Sequence, residues 1–533
     1  MLPLNTYFRV LFLLGILPSI ILLYGITPQK VRRWVLLLSS YGVFWAFSGK
    51  LVFYLMFSTL SIHHFGLWIS NLQNNEQALL SGLSKDEKKV VKKASKNKQY
   101  AVISLAVLIH IGILLVLKYS AFFATNINSL LSMLGVGFSF EIPKYILPIG
   151  ISFYSLQAVA YIFDVYRKKI PADTNLFRLA LFMSFFPQIM EGPICRYGDT
   201  ANLLWTAPKL KYDNVIFGIQ RIVFGIFKKL VIADRVNMFV QNVFNMHTEY
   251  DGFIISIGAA VYTLQLYAEF SGTMDLVIGS GQIFGIVLPE NFKRPFFSTS
   301  ISEFWKRWHI TLGAWFKDYI FYPLSMSGPL KKLTAKARKK LGNHFGPLIA
   351  GAIALFCVWF CNGLWHGAAW NYIFFGMYHF AFILLGNIFD PYFGKLASAC
   401  HINRQSLPYK CFQIIRTTIL VCIGELFFRS NGLKAGLSMF KKMLTNFNLE
   451  TITSEAFFKV GMDIQDFLII LLSMGILLAI GIVQEKGISI RGKIANRNVF
   501  VRFAICYAVI AFIIIFGAYG TNYLPVDPMY ANF

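Results

Sequence analysis

Residues 85–117 read KDEKKVVKKASKNKQYAVISLAVLIHIGILLVL. The first part, Lys85–Lys98, holds seven Lys and two acids, and it runs directly into the apolar stretch Ala101–Leu117. A charged run of this density cannot enter hydrocarbon, whereas an apolar run approaching ~20 residues is what a bilayer-crossing helix requires. The same alternation recurs along the chain. Apolar runs cover Tyr7–Ile26, Trp34–Phe47, Leu51–Ile69 and Tyr145–Phe163. Further runs lie at about 176–190, 214–232, 252–268, 274–288, 347–364, 367–388, 412–428, 466–483 and 503–520. The expected fold is therefore an all-α polytopic membrane protein. The runs near 176–190 and 274–288 are short and broken by Pro or Gly, and they are expected to be re-entrant or partial helices around an internal site.

Composition agrees. Of 533 residues, 56% are hydrophobic and 14% charged, with a mean hydropathy of +0.57. Soluble domains carry about 25% charged residues, so a soluble enzyme, a disordered chain and a small disulfide scaffold are excluded. The net charge of +25 comes from basic loops beside apolar runs, which the positive-inside rule explains without nucleic acid. Seven Cys lie mostly within apolar stretches and form no C-x-x-C pair, so neither a zinc site nor a disulfide framework is expected.

Charge also sets an orientation. Tyr7–Ile26 lacks a basic leader and a cleavage site, and reads as a first transmembrane helix rather than a signal peptide. Residues 28–33, the 71–99 loop, Arg167–Lys169, Lys331–Lys340 and Gln484–Arg502 are basic and expected on the cytoplasmic side. Counting crossings between them puts both termini outside.

Polar residues inside apolar sequence are expensive and therefore informative. The densest such region runs from Leu264 to His379. Glu269 and Asp275 sit beside Ser271 and Gly272. They could line an internal tunnel or orient a base, or they could be packing-site carboxylates paired with an Arg. In SISEFWKRWHITLGAWFKDYIFYPL (300–324), helical spacing places Trp305, Trp308, His309, Leu312 and Phe316 on one face, which predicts an amphipathic helix at the membrane interface. In LFCVWFCNGLWHGAAWNYIFFGMYHF, His366 is flanked by Trp365 and by Gly367, Ala368 and Ala369. Imidazole suits acid–base work near neutral pH, and the small neighbours are expected to leave room for a substrate. His379 reads as helix packing. No His pairs with another His, Cys or acid at i+3 or i+4 in a way that suggests a ligand set, so no metal is expected.

At these residues the chain resembles the membrane-bound O-acyltransferase family. Within it the likeness is to the bacterial branch of alginate O-acetylation and D-alanyl transfer to teichoic acid. The likeness is carried by PIGISFYSLQAVAYIFDVYR (148–167), MEGPICRYGD (190–199), EFSGTMDLVIGSGQIFGIVLPENFKRPF (269–296), the 300–324 stretch and NGLWHGAAWNYIFFGMYHF (362–380), followed by GELFFRSNGLKAGLSMF (424–440). Glu269 stands where branch members commonly carry Asp. The resemblance implies one transmembrane domain over 1–533, with about eleven helices and re-entrant pieces around a central tunnel. A catalytic core would cover 145–440, and C-terminal helices with an external tail would cover 441–533.

The resemblance also implies roles. His366 matches the family's catalytic histidine and His309 its second motif residue. Trp305, Trp308, Asp275, Glu269, Trp365 and Asn362 would line or orient the tunnel. No cofactor is permanently bound; the donor is acyl-CoA or an acylated carrier protein from the cytoplasm. The expected partners are membrane lipid, a polysaccharide acceptor and an external SGNH-type acyltransferase or polysaccharide-synthesis complex. The tail PVDPMYANF resembles a short tyrosine motif of the branch, making Tyr530 a candidate acyl relay, against the reading of an interfacial anchor. The expected function is acyl transfer, acetyl in particular, to an extracellular or cell-wall polysaccharide, in a bacterial cytoplasmic membrane. D-alanyl transfer to teichoic acid is the alternative within the branch, and a transporter or polymer-export channel the alternative outside it.

Overall fold

The computed structural model describes residues 8, 10–453, 455–520 and 523–527. Tyr530 lies outside the described residues. Every regular element among them is helical, as hydrocarbon demands of a chain that must satisfy its backbone internally. Eight helices are long and apolar enough to cross a membrane, and the shorter apolar Leu11–Ile26 precedes them. The outermost are apolar on their surface: only 6% of the Val499–Phe516 span is buried, and Phe500, Ile514 and Ile515 point outward. Such a surface is stable against lipid and not against water.

Two compact units are present. One extends as far as Ile219 and includes Val277–Pro289; the other comprises Gln220–Leu276 and Glu290–Met529. In the first unit, the expected turn at Ser48–Lys50 is a single 3-10 turn, Gly49–Leu51, between helices Gln29–Ser48 and Val52–Leu79. The lysine-rich run is helical too. It belongs to the 49-residue helix Lys85–Met133, opened by a capping box between Ser84 and Glu87. At 1.5 Å per residue that helix is about 74 Å long, well beyond the ~45 Å of a bilayer with its headgroups. Ile151–Tyr166 has only 16 residues and is buried on nearly every side, so protein rather than lipid surrounds it. The short run near 176–190 is a partial helix, Leu176–Ser184. Its non-helical continuation is buried in protein and held by Phe186 N donating to Ser40 Oγ at 3.1 Å and by Gln188 Nε2 donating to the Phe182 carbonyl at 2.9 Å.

Two expectations are corrected. The runs 252–268 and 274–288 are not separate: Gly252–Ile283 is one helix of 32 residues. Its glycines serve contact instead of breaking the helix. A Cβ on Gly272 would come within 2.9 Å of the Gly225 carbonyl oxygen, and one on Gly225 within 2.5 Å of the Gly272 oxygen. Close backbone approach of this kind is how helices associate in lipid. The second correction concerns the amphipathic helix around His309. The chain there forms two short helices, Ile301–Arg307 and Ile310–Phe316, that meet at the non-helical pair Trp308 and His309.

Candidate active site

The described residues expected to carry chemistry all lie in the second unit. The break at His309 is built from the chain on either side. Ser300 caps the first helix by accepting from Glu303 N at 3.1 Å, and Glu303 takes Arg307 at 2.8 Å. Trp308 is then extended, and His309 turns left-handed with φ 46° and ψ 49°. That conformation costs a non-glycine residue about 1–2 kcal/mol, so something must hold it.

Asn291 does so. Its backbone oxygen accepts from Ile310 N at 3.0 Å. Its side-chain Oδ1 accepts from both Thr311 N and Thr311 Oγ1, each at 3.0 Å. With Oδ1 so occupied, the amide Nδ2 faces His309 Nδ1 at 3.3 Å and Met274 Sδ at 3.4 Å. The same Nδ1 also lies 3.4 Å from Asn291 Oδ1, so both ends of one amide face it and hold the ring's orientation, accepting or donating according to the ring's tautomer. His309 is 2% exposed, and burial pushes its protonated form down to a pKa of about 3. The ring is neutral at physiological pH. Nothing in the hydropathy pattern marks Asn291; the signal was the turn-forming Pro289-Glu290-Asn291 after an apolar run.

His366 ends the helical run Gly328–His366, which is broken at Gly342 (φ 77°), and the next helix starts at Trp370. These two helices form a hairpin with small residues at the contact. A Cβ on Gly363 would meet the Tyr372 carbonyl oxygen at 2.5 Å, and one on Gly376 the Trp359 oxygen at 2.3 Å. The expected open space beside His366 is filled at Gly367, where a Cβ would sit 2.2 Å from the Tyr372 ring. Gly367 is small because an aromatic ring needs that volume. His366 itself is 4% exposed and edge-on to Trp365 at 5.1 Å, Phe428 at 5.1 Å and Phe375 at 5.9 Å.

Trp365 joins the two histidines. Its ring lies 5.6 Å from that of His309 as well as 5.1 Å from that of His366. The two tryptophans near His309 part company because of the helix break. Trp308 packs with Phe304, Phe292 and Tyr267. Trp305 packs instead with Trp359 at 4.8 Å and His379 at 4.9 Å. The Nε1 of Trp305 and Oδ1 of Asn362 are buried without a hydrogen-bond partner among the described residues.

The carboxylates separate. Asp275 binds Arg221 at 2.9 Å and Lys228 at 2.5 Å, and Arg221 also binds Glu290 at 2.5 Å. This network matches the packing reading. Glu269 Oε1 is 3.3 Å from Thr273 Oγ1, while its Oε2 has no partner among the described residues. Glu425, in the GELFFRS stretch, is likewise buried with a partnerless Oε2. A carboxylate inside an apolar run was the available signal for Glu425.

A neutral histidine in a strained, braced turn and a second histidine at a helix terminus thus share an aromatic wall. The pattern of the membrane-bound O-acyltransferase family matches residues 166–337, which includes His309. The chain is 31% identical to the probable alginate O-acetylase of Pseudomonas syringae, over 81% of this chain and 74% of that protein. The chain belongs to the membrane-bound O-acyltransferase family. It is an acyltransferase and a multi-pass membrane protein. Two further relatives of this acyltransferase stand out. It is 30% identical to the peptidoglycan O-acetyltransferase of Helicobacter pylori, over 64% of each chain. It is 32% identical to the teichoic acid D-alanyltransferase of Bacillus subtilis, over 52% of this chain and 68% of that one.

Proposed function

We propose that this acyltransferase moves an acetyl group from a thioester donor to the hydroxyls of an extracellular or cell-wall polysaccharide. The observation that carries the reading is the span of likeness. The relatives named for O-acetylation are matched over 81% and 64% of this chain, the D-alanyl relative over 52%. In this reading the protein sits in the bacterial cytoplasmic membrane with its basic loops inside and both termini outside. Acyl-CoA or an acylated carrier protein brings the donor from the cytoplasm.

The chemistry is assigned to His366 as general base and His309 as donor-side partner. A neutral imidazole of His366 takes the proton of an attacking hydroxyl, whose oxygen adds to the thioester carbonyl. The C–S bond then breaks, and the imidazolium returns the proton to the departing thiolate. In this scheme His309, oriented by Asn291, carries its proton on Nε2 and donates it to the thioester carbonyl oxygen as negative charge builds there. Tyr530 is the first acceptor in this scheme. Its phenol oxygen takes the acyl group, and the resulting ester passes it to the serine of an external SGNH-type transferase.

The test is made in cells that have or lack the full chain. Alkali-labile acetate on the surface polysaccharide should depend on the protein, and ester-linked D-alanine should not. Loss of D-alanine with acetate unchanged would replace this reading with the teichoic acid one. Tyr530→Phe keeps the ring and removes the hydroxyl, and should stop polymer acetylation; normal acetylation in that variant would remove the relay.

A further inference from the structure

The helix from Tyr212 to Phe227 continues as a π-helical turn, Lys228–Ala233. π turns inside α-helices are frequent at functional sites. This one carries a run of buried charge. Lys229 and Asp234 are each 3% exposed and pair at 3.0 Å; Arg235 and Asn237 are buried beside them. A buried ion pair is stabilising only when further hydrogen bonds satisfy its remaining donors and acceptors. Here those bonds go to the backbone of the segment after the last spanning helix, Val499–Phe516.

That segment is gripped at successive points. Arg235 Nη2 donates to the Phe516 oxygen at 2.7 Å, and Ala518 N donates to the Leu230 oxygen at 2.8 Å. Tyr523 is anchored by its hydroxyl, 3.0 Å from Asp466 Oδ1 and 3.1 Å from Arg235 Nη1, with Arg235 and Asp466 themselves ion-paired. Asn237 Nδ2 donates to the Leu524 oxygen at 3.0 Å. At Val526 the two buried charges close on one residue: its N–H donates to Asp234 Oδ1 at 2.8 Å, and its oxygen accepts from Lys229 Nζ at 2.5 Å.

The contacts at 524 and 526 read backbone rather than side chains. They are two residues apart, the repeat of one edge of an extended chain. The local sequence is suited to that shape. Leu524 and Asp527 each precede a proline, which biases both toward extended backbone. Pro525 has no N–H to offer, and the next amide along, Val526, is the one that Asp234 captures.

We propose that Lys229, Asp234 and Asn237 form a binding site for an extended peptide backbone, occupied by this chain's own segment Leu524–Val526, and that their grip on Val526 fixes the register of the residues beyond Asp527. The part of the inference that concerns register rests on the reading of Tyr530 as acyl acceptor. A tyrosine that must present its hydroxyl to a buried thioester needs a fixed distance from a fixed anchor, since an ångström of misplacement is costly to a positioned reaction.

The test uses the full chain in lipid nanodiscs. Amide hydrogen exchange over 523–527 is compared among wild type, Lys229→Met and Val526→Pro, with polymer acetylation measured alongside. The wild-type segment should exchange slowly. Lys229→Met should speed exchange at the Val526 amide, and Val526→Pro at the Tyr523 amide upstream of it, by at least ~10-fold, because each removes a charge-assisted hydrogen bond to the tail. Val526→Pro leaves the buried Lys229–Asp234 pair intact, so a folding failure of Lys229→Met would not decide the matter. A wild-type segment that exchanges like free coil, or continued protection in Val526→Pro, overturns the site. Register is tested by one glycine inserted between Asp527 and Pro528, which lengthens the chain beyond the anchor by up to ~3.6 Å. Acetylation should fall at least ~10-fold while exchange over 523–527 stays slow; full acetylation overturns the register role. Tyr530→Phe keeps the two readings apart. If it acetylates normally the relay fails, and the exchange data still decide the backbone site.

Discussion

His309 and His366 are both buried histidines against the same indole, Trp365, yet they are held by opposite means. His309 sits in a left-handed turn that is unfavourable for its own backbone, and polar bonds from Asn291 hold it there. His366 terminates a long helix in regular geometry, and it is aimed by rings and by glycines that let two helices close up. The first arrangement fixes a ring orientation, because both ends of one amide face the same ring nitrogen. The second fixes a position, because close-packed rings and backbone leave little freedom. A donor to a developing oxyanion needs a defined direction, and a general base needs a defined distance. The two supports fit the two proposed roles.

That contrast can be broken by mutation, and the largest effect belongs to His366. His366→Ala should lower acyl transfer by ~10³-fold or more, and His309→Ala by ~10²-fold, while both proteins insert and purify normally. Equal, small losses would erase the distinction. Asn291→Leu comes next. It removes the brace, and should cost ~10–100-fold in kcat with a smaller change in donor KM. Asn291→Asp sharpens the point, since a carboxylate accepts from Thr311 and from a protonated Nδ1 yet cannot donate to Nδ1, and so favours the tautomer with no proton on Nε2. It should remain folded and be slow; full activity in Asn291→Asp would contradict a working Nε2 proton.

Gly363→Ala should act on stability more than on chemistry. Its Cβ would approach the Tyr372 oxygen to 2.5 Å, and overpacking of that kind costs about 1–3 kcal/mol. The melting temperature in detergent should drop, and an unchanged value would mean the hairpin is looser than its glycines imply. The smallest effect concerns pH. Burial holds the folded His309 pKa near 3, against ~6.5 in an unfolded chain. The unfolded state therefore binds the extra proton between those values. His309's contribution to stability is intact above ~6.5 and is lost progressively as pH falls toward 3. His309→Gln should flatten the pH dependence of the melting temperature below 6.5, and an unaltered slope would contradict a buried neutral ring.

The spans and the pairing of His366 with Trp365 were legible because both follow from local rules: apolar runs of sufficient length, and polar residues too expensive to sit in them without purpose. The misread segments share a physical cause. Gly272 looks like a break in a helix and is a contact within one, and only the neighbouring backbone tells the two apart. The reverse happened at His309, where apolar spacing continues smoothly through a real break. Its cause lies 18 residues earlier in the chain, at Asn291, beyond the reach of any periodicity. Lys229 falls inside the apolar run 214–232 and Asp234 just beyond it, and nothing in their local spacing marks them. Their buried role depends on a strand of chain almost 300 residues away: Lys229 bonds Val526 at a separation of 297.

Whether His309 and His366 belong to one acyl-transfer site joined across Trp365 is tested most directly by single-turnover thiol release from an acetyl thioester, measured on purified wild type, each single alanine variant and the double variant. Residues acting as one catalytic unit show grossly non-additive losses. His309→Ala/His366→Ala should fall no further than His366→Ala alone. A double variant slower by a further ~10²-fold, the full product of the two single losses, would contradict a shared site and place the two histidines in independent roles.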